Sequence, residues 1–594
     1  MPKIEVYRDA LIKLIGAGKL TDDQLESVFP AAKAELDEPA DDEGVMKVEL
    51  NDTNRPDLWS TAGLGRQLRI YHGAEAPVYH FFSDATVTRE HGERRVVVDS
   101  SVETIRPWVV AFVMSGPAVT EAVLKDLIQT QEKLTWNYGR KRRSIAMGVY
   151  RADLITFPVH YKAVDPDATT FVPLQDTREL SMRQMLTEHP KGIEYGHIVA
   201  DFPKFPILTD DRDDVLSFPP VINSASIGAV QEGDTSLFIE LTGTDLDPLL
   251  HTASIIACDV ADMGYTVEPV RVEYPYDTPY GRQITVPYYF QEPQRAGLAE
   301  INALLGENLT TDEVVLALKR MGIAATEASA SASAEPAVVI RVPEYRNDFL
   351  HAVDVVEDVM IGRGMDSFTP EMPRDFTVGR LTPVEEFTRR LKTTMVGLGF
   401  QEMIFNYLGS GADYIESMYA EEDWEKQFAL AVQIANPMSE NYEFVRPSIL
   451  PSLLASEAVS GNAVYPHHIF EIGKTAGRDN DDVTGTVTRT SLGFLSADGD
   501  AGFNLVNSHV SAILFYMSRE YTLRELDDSR FIPGRAAAIV ATADSKRSEP
   551  TVLGVFGEVH PRVLEKWGIQ VPCTAGELDV ERLLAHRGGG GKSR

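Results

Sequence analysis

Residues 45–73, VMKVELNDTNRPDLWSTAGLGRQLRIYHG, change periodicity part-way along. Met46, Val48 and Leu50 alternate with polar neighbours, the pattern of a half-buried strand. Asn54-Arg55-Pro56-Asp57 then reads as a turn, because proline fixes its own φ and removes a backbone donor. Beyond it Leu64, Leu68 and Tyr71 recur at i, i+4 and i+7, one face of a helix. Strand, turn and helix in so short a stretch predict a mixed α and β module, extending from residue 1 to about 95. Upstream, TDDQLESVF (21–29) offers a threonine N-cap with acidic residues in the first turn, where the helix dipole favours them.

Downstream, residues 97–285 also mix α and β. WVVAFVM (108–114) and SLFIELTG (236–243) are β-rich runs, TEAVLKDLIQTQEKL (120–134) is helical, and HTASIIACDVADMGY (251–265) has helical spacing with a glycine near its end. Residues 286–365 combine two helical stretches with a strand pair, IAATEA and AVVIRV, joined by the low-complexity spacer SASASAEP. Residues 372–586 open with the helix PVEEFTRRLKTTMVGLGF (383–400), and the glycine-rich tail at 587–594 is expected to be disordered. No internal repeat of 20–50 residues is present. The fold class that follows is a multidomain α+β protein.

Composition narrows the function. With 89 Asp+Glu against 56 Lys+Arg the formal net charge is −33, so the surface as a whole is no electrode for nucleic acid. One basic run stands out, Arg140-Lys141-Arg142-Arg143 beside Trp136 and Tyr138, a combination suited to phosphate contact and base stacking or, as most charge runs are, to a solvated loop. Two cysteines, Cys258 and Cys573, exclude a disulfide framework and a cysteine-based zinc site. The N-terminus has no secretory pattern and no apolar run reaches the roughly 20 residues of a membrane helix, so a cytoplasmic, membrane-free protein is expected.

Four segments carry a family resemblance. NRPDLWSTAGLGRQL (54–68), SFPPVINS with FIELTGTD (217–224, 238–245), PEYRNDFLHAVDVVEDVMIGRG (343–364), and NPMSENYEFVRPSILPSLL with FEIGK (436–454, 470–474) resemble, in order, the beta subunit of phenylalanine–tRNA ligase in its short archaeal and eukaryotic form. The resemblance implies an N-terminal module, an α/β editing domain, a small helix-plus-strand domain of nucleic-acid-binding type, and a class II synthetase-like antiparallel core without its own catalytic site. It implies partners as well: tRNA, and an alpha subunit, two alpha with two beta chains, that carries the aminoacylation site and binds most of the ATP.

Such an enzyme must tell phenylalanine from tyrosine. A hydrophobic pocket rejects an added hydroxyl only about 10²-fold, whereas a site that hydrogen-bonds the hydroxyl discriminates by about 10⁴–10⁵. A second, hydrolytic site for Tyr-tRNA therefore needs a phenol acceptor, a ring wall and polar groups at the ester. Glu240 lies on a predicted strand with Phe238 and Thr242 on the same face, and Ser217 and Asn223 flank a Pro-Pro turn. By resemblance the editing positions fall on Leu208, Ser217, Asn223, Glu240 and Thr242, with Glu240 receiving the tyrosine hydroxyl. Taken locally, the same glutamate is a solvated strand residue and the asparagine a turn former.

The resemblance also places a Mg²⁺ motif on Asp348, Asp354, Glu357 and Asp358, carboxylates of the kind a hard cation takes. Acidic residues beside a helix N-terminus are the alternative. In the last domain Arg446 is followed by proline rather than an acidic partner, and FIPGRAAAIV has a single glycine, so Arg446 and Arg535 read as surface or interface salt-bridging residues. His467 and His468, adjacent on a strand, point to opposite faces, and His560 reads as a turn residue. The competing function is a tRNA-binding scaffold whose editing pocket is vestigial.

Overall fold

The computed structural model describes residues 3–16, 18, 20–82, 94–328, 335–541 and 551–586. The SASASA part of the spacer and the 587–594 tail lie outside the described residues. The chain divides into two compact units, 1–372 and 373–594.

In the first unit, Lys3–Tyr7, Val45–Leu50 and Ala34–Glu38 form an antiparallel sheet with Val45–Leu50 in the middle. The expected helix runs over Thr61–Tyr71, capped by the Ser60 hydroxyl. It is buried on nearly every side rather than along one stripe, because it packs against both Arg8–Ile15 and Leu246–Asp262. Gly65 permits the approach of Arg8–Ile15, since a Cβ there would stand 2.7 Å from Leu14, and Gly63 lets the preceding turn close on the helix, since a Cβ there would stand 1.8 Å from the Asp57 carbonyl oxygen. Thr21 caps its helix through a full capping box with Gln24.

The main sheet has ten strands. Ser236–Gly243 lies between Trp108–Ser115 and Ile145–Arg151, antiparallel to both, and the helix Leu246–Asp262 packs across them. At one end of the sheet the hairpin of Val215–Phe218 and Ile222–Asn223 joins Phe205–Thr209. The third sheet, Gln294–Gly297, Ala337–Arg341 and Ala324–Glu327, packs with the helices Leu298–Leu305, Thr311–Arg320 and Ala352–Arg363. One continuous hydrophobic cluster runs from Ile4 through Ile256 to Ile361, so the three segments expected as separate domains share a core.

The second unit is built on a seven-stranded sheet, antiparallel but for the short edge strand Gln401–Glu402. One face carries Phe470, Phe494, Ile539 and Phe556 under the helices Pro383–Gly397 and Phe503–Tyr516. The other carries Leu495, Ala497 and Ala575 under Leu450–Ala458 and Pro561–Trp567. The alternation follows from the two-residue period of a strand. Among the described residues no helix is long and apolar enough to cross a membrane.

Candidate functional site

The strand Ser236–Gly243, next to the edge of the main sheet, holds Glu240 and Thr242 on one face, as the alternation predicts. Glu240 is 3% exposed, and desolvation pushes its carboxyl up to about 7. Its Oε1 accepts a 2.7 Å hydrogen bond from the Tyr150 phenol, which also lies 2.8 Å from Ser217 Oγ. Its Oε2 is buried with no hydrogen-bond partner. Ser217 stands opposite Leu208 on one side of its strand and opposite Asn223 on the other. Asn223 Nδ2 donates to the Val149 carbonyl, next to Tyr150 (3.3 Å). Glu240 from one strand and Ser217 from the hairpin thus meet at Tyr150, with Asn223 on the adjoining Val149 carbonyl and Leu208, on a second strand, opposite Ser217.

Thr242 is held separately. The buried Arg106 guanidinium donates to Thr242 Oγ1 (2.9 Å), to the Thr242 carbonyl, and to the Arg143 carbonyl (2.9 Å). Burial lowers Arg106 to about 10. Tyr150 and Arg106 escape sequence reasoning because their partners lie 37 to 136 residues away. No local pattern signals either.

The basic run forms a tight turn after a π-helical segment, Leu134–Tyr138. Arg140, Lys141 and Arg142 have φ of 50°, 56° and 65°, three successive non-glycine residues in the left-handed region. Each such residue costs on the order of 1–2 kcal/mol. The turn offsets part of that through Lys141 N–H to the Trp136 carbonyl (2.8 Å) and Arg142 N–H to the Thr135 carbonyl (2.9 Å). Lys141 lies over the Trp136 ring at 4.9 Å. Arg142 differs from its neighbours: it stacks on Tyr195 and donates to the carbonyls of Pro220 and Val221, clasping the hairpin between Ser217 and Asn223. Trp136, Arg140, Arg142, Lys191 and Tyr195 line a cleft of about 1160 Å³.

The acidic helix departs from its expected role. Asp348 accepts both Nε (3.0 Å) and Nη2 (2.7 Å) of Arg346, and Asp358 accepts the same Nη2 at 2.7 Å. Asp354 turns back to accept the N–H groups of Leu350 and His351, both at 2.7 Å, in a capping box. Glu357 pairs with Lys33 at 2.9 Å. Among the described residues no group of three or more His, Cys, Asp or Glu is placed to hold a metal ion. The four carboxylates of this chain alone therefore do not fit Mg²⁺: a buried arginine supplies the positive charge expected of the ion. Against the upward push of burial, Arg346 holds the Asp348 carboxyl below its ordinary range.

In the second unit Arg446 is fully buried, not a surface residue, and pairs bidentately with Glu471 at 2.7 and 2.9 Å. Arg535 is a surface partner of Glu558 at 2.7 Å. His467 pairs with Glu457 and His468 with Ser496, while His560 caps the helix that follows it.

Comparison with known proteins places these features in a class. The family model described as the tRNA synthetase B5 domain matches residues 295–365, and that described as the phenylalanyl tRNA synthetase beta chain CLM domain matches 369–580. They mark a chain of the aminoacyl-tRNA synthetase kind. A phenylalanine–tRNA ligase beta subunit from Borrelia turicatae is 47% identical over 585 residues, spanning 98% of this chain and 100% of that one. One from Treponema pallidum subsp. pallidum is 43% identical over 623 residues, with the same shares. An N-terminal fragment of the phenylalanyl-tRNA synthetase beta subunit from Pyrococcus horikoshii superposes with a TM-score of 0.55 at 32% identity, over 61% of this chain and all of the fragment. The chain belongs to the phenylalanine–tRNA ligase beta subunit family, and its role is that of a beta subunit in tRNA aminoacylation.

Proposed function

We propose that this beta subunit also proofreads: it binds tRNA esterified with tyrosine and adds water across the ester, releasing tyrosine and free tRNA. The observation that carries this is the Glu240 carboxylate, buried and already holding a phenol at 2.7 Å. A group that satisfies one phenol in a dry setting has the chemistry to select another. Leu208 and Phe238 supply apolar wall, and Ser217, Asn223 and Thr242 supply polar groups.

Its partner is an alpha subunit, two alpha with two beta chains, which binds ATP and joins phenylalanine to tRNA. Mg²⁺ enters with the ATP chemistry. An ion held at the acidic helix would need ligands from that partner added to Asp354 and Glu357, since Asp348 and Asp358 are committed to Arg346. The exposed cations Arg140, Lys141 and Arg143 contact tRNA, with Arg142 bracing the hairpin beside them. Modules at 1–95, 97–285, 286–365 and 372–586, the first three on one shared core, the short archaeal and eukaryotic type, and a cytoplasmic location complete the reading. The full-length alignment of the Pyrococcus fragment supports the type.

The test is deacylation by the complex purified with its alpha subunit. Glu240→Ala should abolish hydrolysis of Tyr-tRNA and leave phenylalanine charging intact. Loss of both activities, or of neither, would refute the assignment.

A further inference from the structure

The phenol bound to Glu240 is the chain's own. Tyr150 is completely buried, and its oxygen bridges Glu240 Oε1 and Ser217 Oγ, two of the positions proposed to receive the substrate. The neighbouring strand is shaped to let it lie there. Gly148 stands opposite Glu240, and a Cβ at Gly148 would sit 2.0 Å from the Tyr150 oxygen and 2.6 Å from Glu240 Oε1. Phe238, opposite Tyr150, packs a tilted ring 6.1 Å away, with Phe157 edge-on behind it. Carboxyl acceptor, hydroxyl partner and aromatic wall are those a tyrosine substrate requires, and they are filled.

We propose that Tyr150 is a resident competitor in the proofreading pocket: its ring occupies the seat of the substrate phenol, so that an ester enters only by displacing it. The inference rests on the proofreading reading above. Its consequence for specificity is one of exchange. A tyrosyl ester that displaces Tyr150 returns a phenol to Glu240 and Ser217, so hydrogen bonds lost are replaced in kind. A phenylalanyl ester has no hydroxyl to return and leaves the buried Glu240 carboxyl without its phenol donor and the Ser217 hydroxyl without its phenol partner, which costs the penalty of unsatisfied buried groups. The resident phenol thus sets an entry threshold that the correct product does not cross. Removing its hydroxyl lowers that threshold equally for both esters, leaving their ratio unchanged while making hydrolysis of Phe-tRNA measurable.

The experiment uses the complex with its alpha subunit and compares wild type, Tyr150→Phe, Tyr150→Leu and Glu240→Ala. KM and kcat are measured for deacylation of Tyr-tRNA and Phe-tRNA, and inhibition is measured with p-cresol. The expected result for Tyr150→Phe is a fall of about tenfold or more in KM for Tyr-tRNA, the size of a hydrogen bond to a charged group. Inhibition by p-cresol should tighten in parallel and Phe-tRNA should begin to be hydrolysed, with kcat retained. Tyr150→Leu, which empties more of the seat, should move the same way. A wild type that hydrolyses Tyr-tRNA more weakly than Tyr150→Phe or Tyr150→Leu would also support the proposal. Loss of activity in both Tyr150 variants, as in Glu240→Ala, would overturn it by making Tyr150 a positioning residue, and so would an unchanged KM. If wild type, Tyr150 variants and Glu240→Ala are all equally inactive, the proofreading reading itself fails.

Discussion

Replacing Glu240 by glutamine should stabilise the protein, and by an amount that grows with pH. Burial pushes the Glu240 carboxyl from its ordinary 4.5 up to about 7 in the folded chain. Between those values the unfolded chain has given up its proton while the folded chain still holds it. A raised acid pKa therefore favours the folded state fully only below about 4.5, and the benefit is lost as pH rises toward 7. At about 1.36 kcal/mol per unit of separation, ionisation costs the fold roughly 1 kcal/mol at pH 5 and roughly 3 kcal/mol at pH 8. Glutamine keeps an acceptor for the Tyr150 phenol and carries no charge, so it escapes this cost. Asp259, which burial also raises to about 7, titrates in both proteins and cancels in the comparison. Urea unfolding of the two proteins from pH 5 to pH 8 should show the gap in favour of Glu240→Gln widening by about 2 kcal/mol. A gap that stays constant with pH would refute the burial argument.

Other substitutions probe the remaining sites. Arg140, Lys141 and Arg143 changed together to Ala should weaken tRNA binding and reduce the slope of log affinity against log salt by about 2, at roughly 0.7 per phosphate contact on a single strand. Arg142→Ala should instead loosen the 217–223 hairpin and show itself in deacylation before it shows in the salt slope. Arg346→Met should cost about 3–5 kcal/mol by leaving Asp348 and Asp358 buried without their cation, read as a lower urea midpoint.

What the sequence made legible was local. Thr21 three residues before Gln24, the β-rich runs ending at Gly243, and the period-two placement of Glu240 with Thr242 each concern groups that neighbours in the chain can specify. The site required more. Tyr150 meets Glu240 from 90 residues away, and Arg106 meets Thr242 from 136 away. Nothing in YR or IRP distinguishes these from ordinary surface residues; only the pairing of strands brings them in. Arg446 misled for a related reason: its partner Glu471 lies 25 residues on, in a strand whose register cannot be read beforehand. The acidic helix misled differently, since the cation it uses was in view. Arg346 stands two residues before Asp348, close enough for a bidentate grip.

That grip occurs twice, and its repetition explains what the buried charges do. Arg55 holds Asp57 with Nε and Nη2, both at 2.8 Å, as Arg346 holds Asp348. The two guanidiniums lie near enough to repel, and Asp348 attracts both. Nη1 of each arginine is buried without a partner, as is Asp358 Oδ1. Coulomb attraction among buried charges seldom outweighs their desolvation, so stability is a poor account of such a network. Misplacement is where its cost falls. If either arginine turned out of its own fork, Asp57, or Asp348 with Asp358, would be left buried without its paired cation. An error of that kind costs about 3–5 kcal/mol, comparable with the whole stability of a small domain. Each arginine therefore fixes the turn of its own segment, Arg55 the one before Thr61–Tyr71 and Arg346 the one before Ala352–Arg363, while the ion pair of Lys33 with Glu357 links the N-terminal module to the acidic helix. An ion could bind carboxylates in several arrangements; two forked guanidiniums on short tethers accept few.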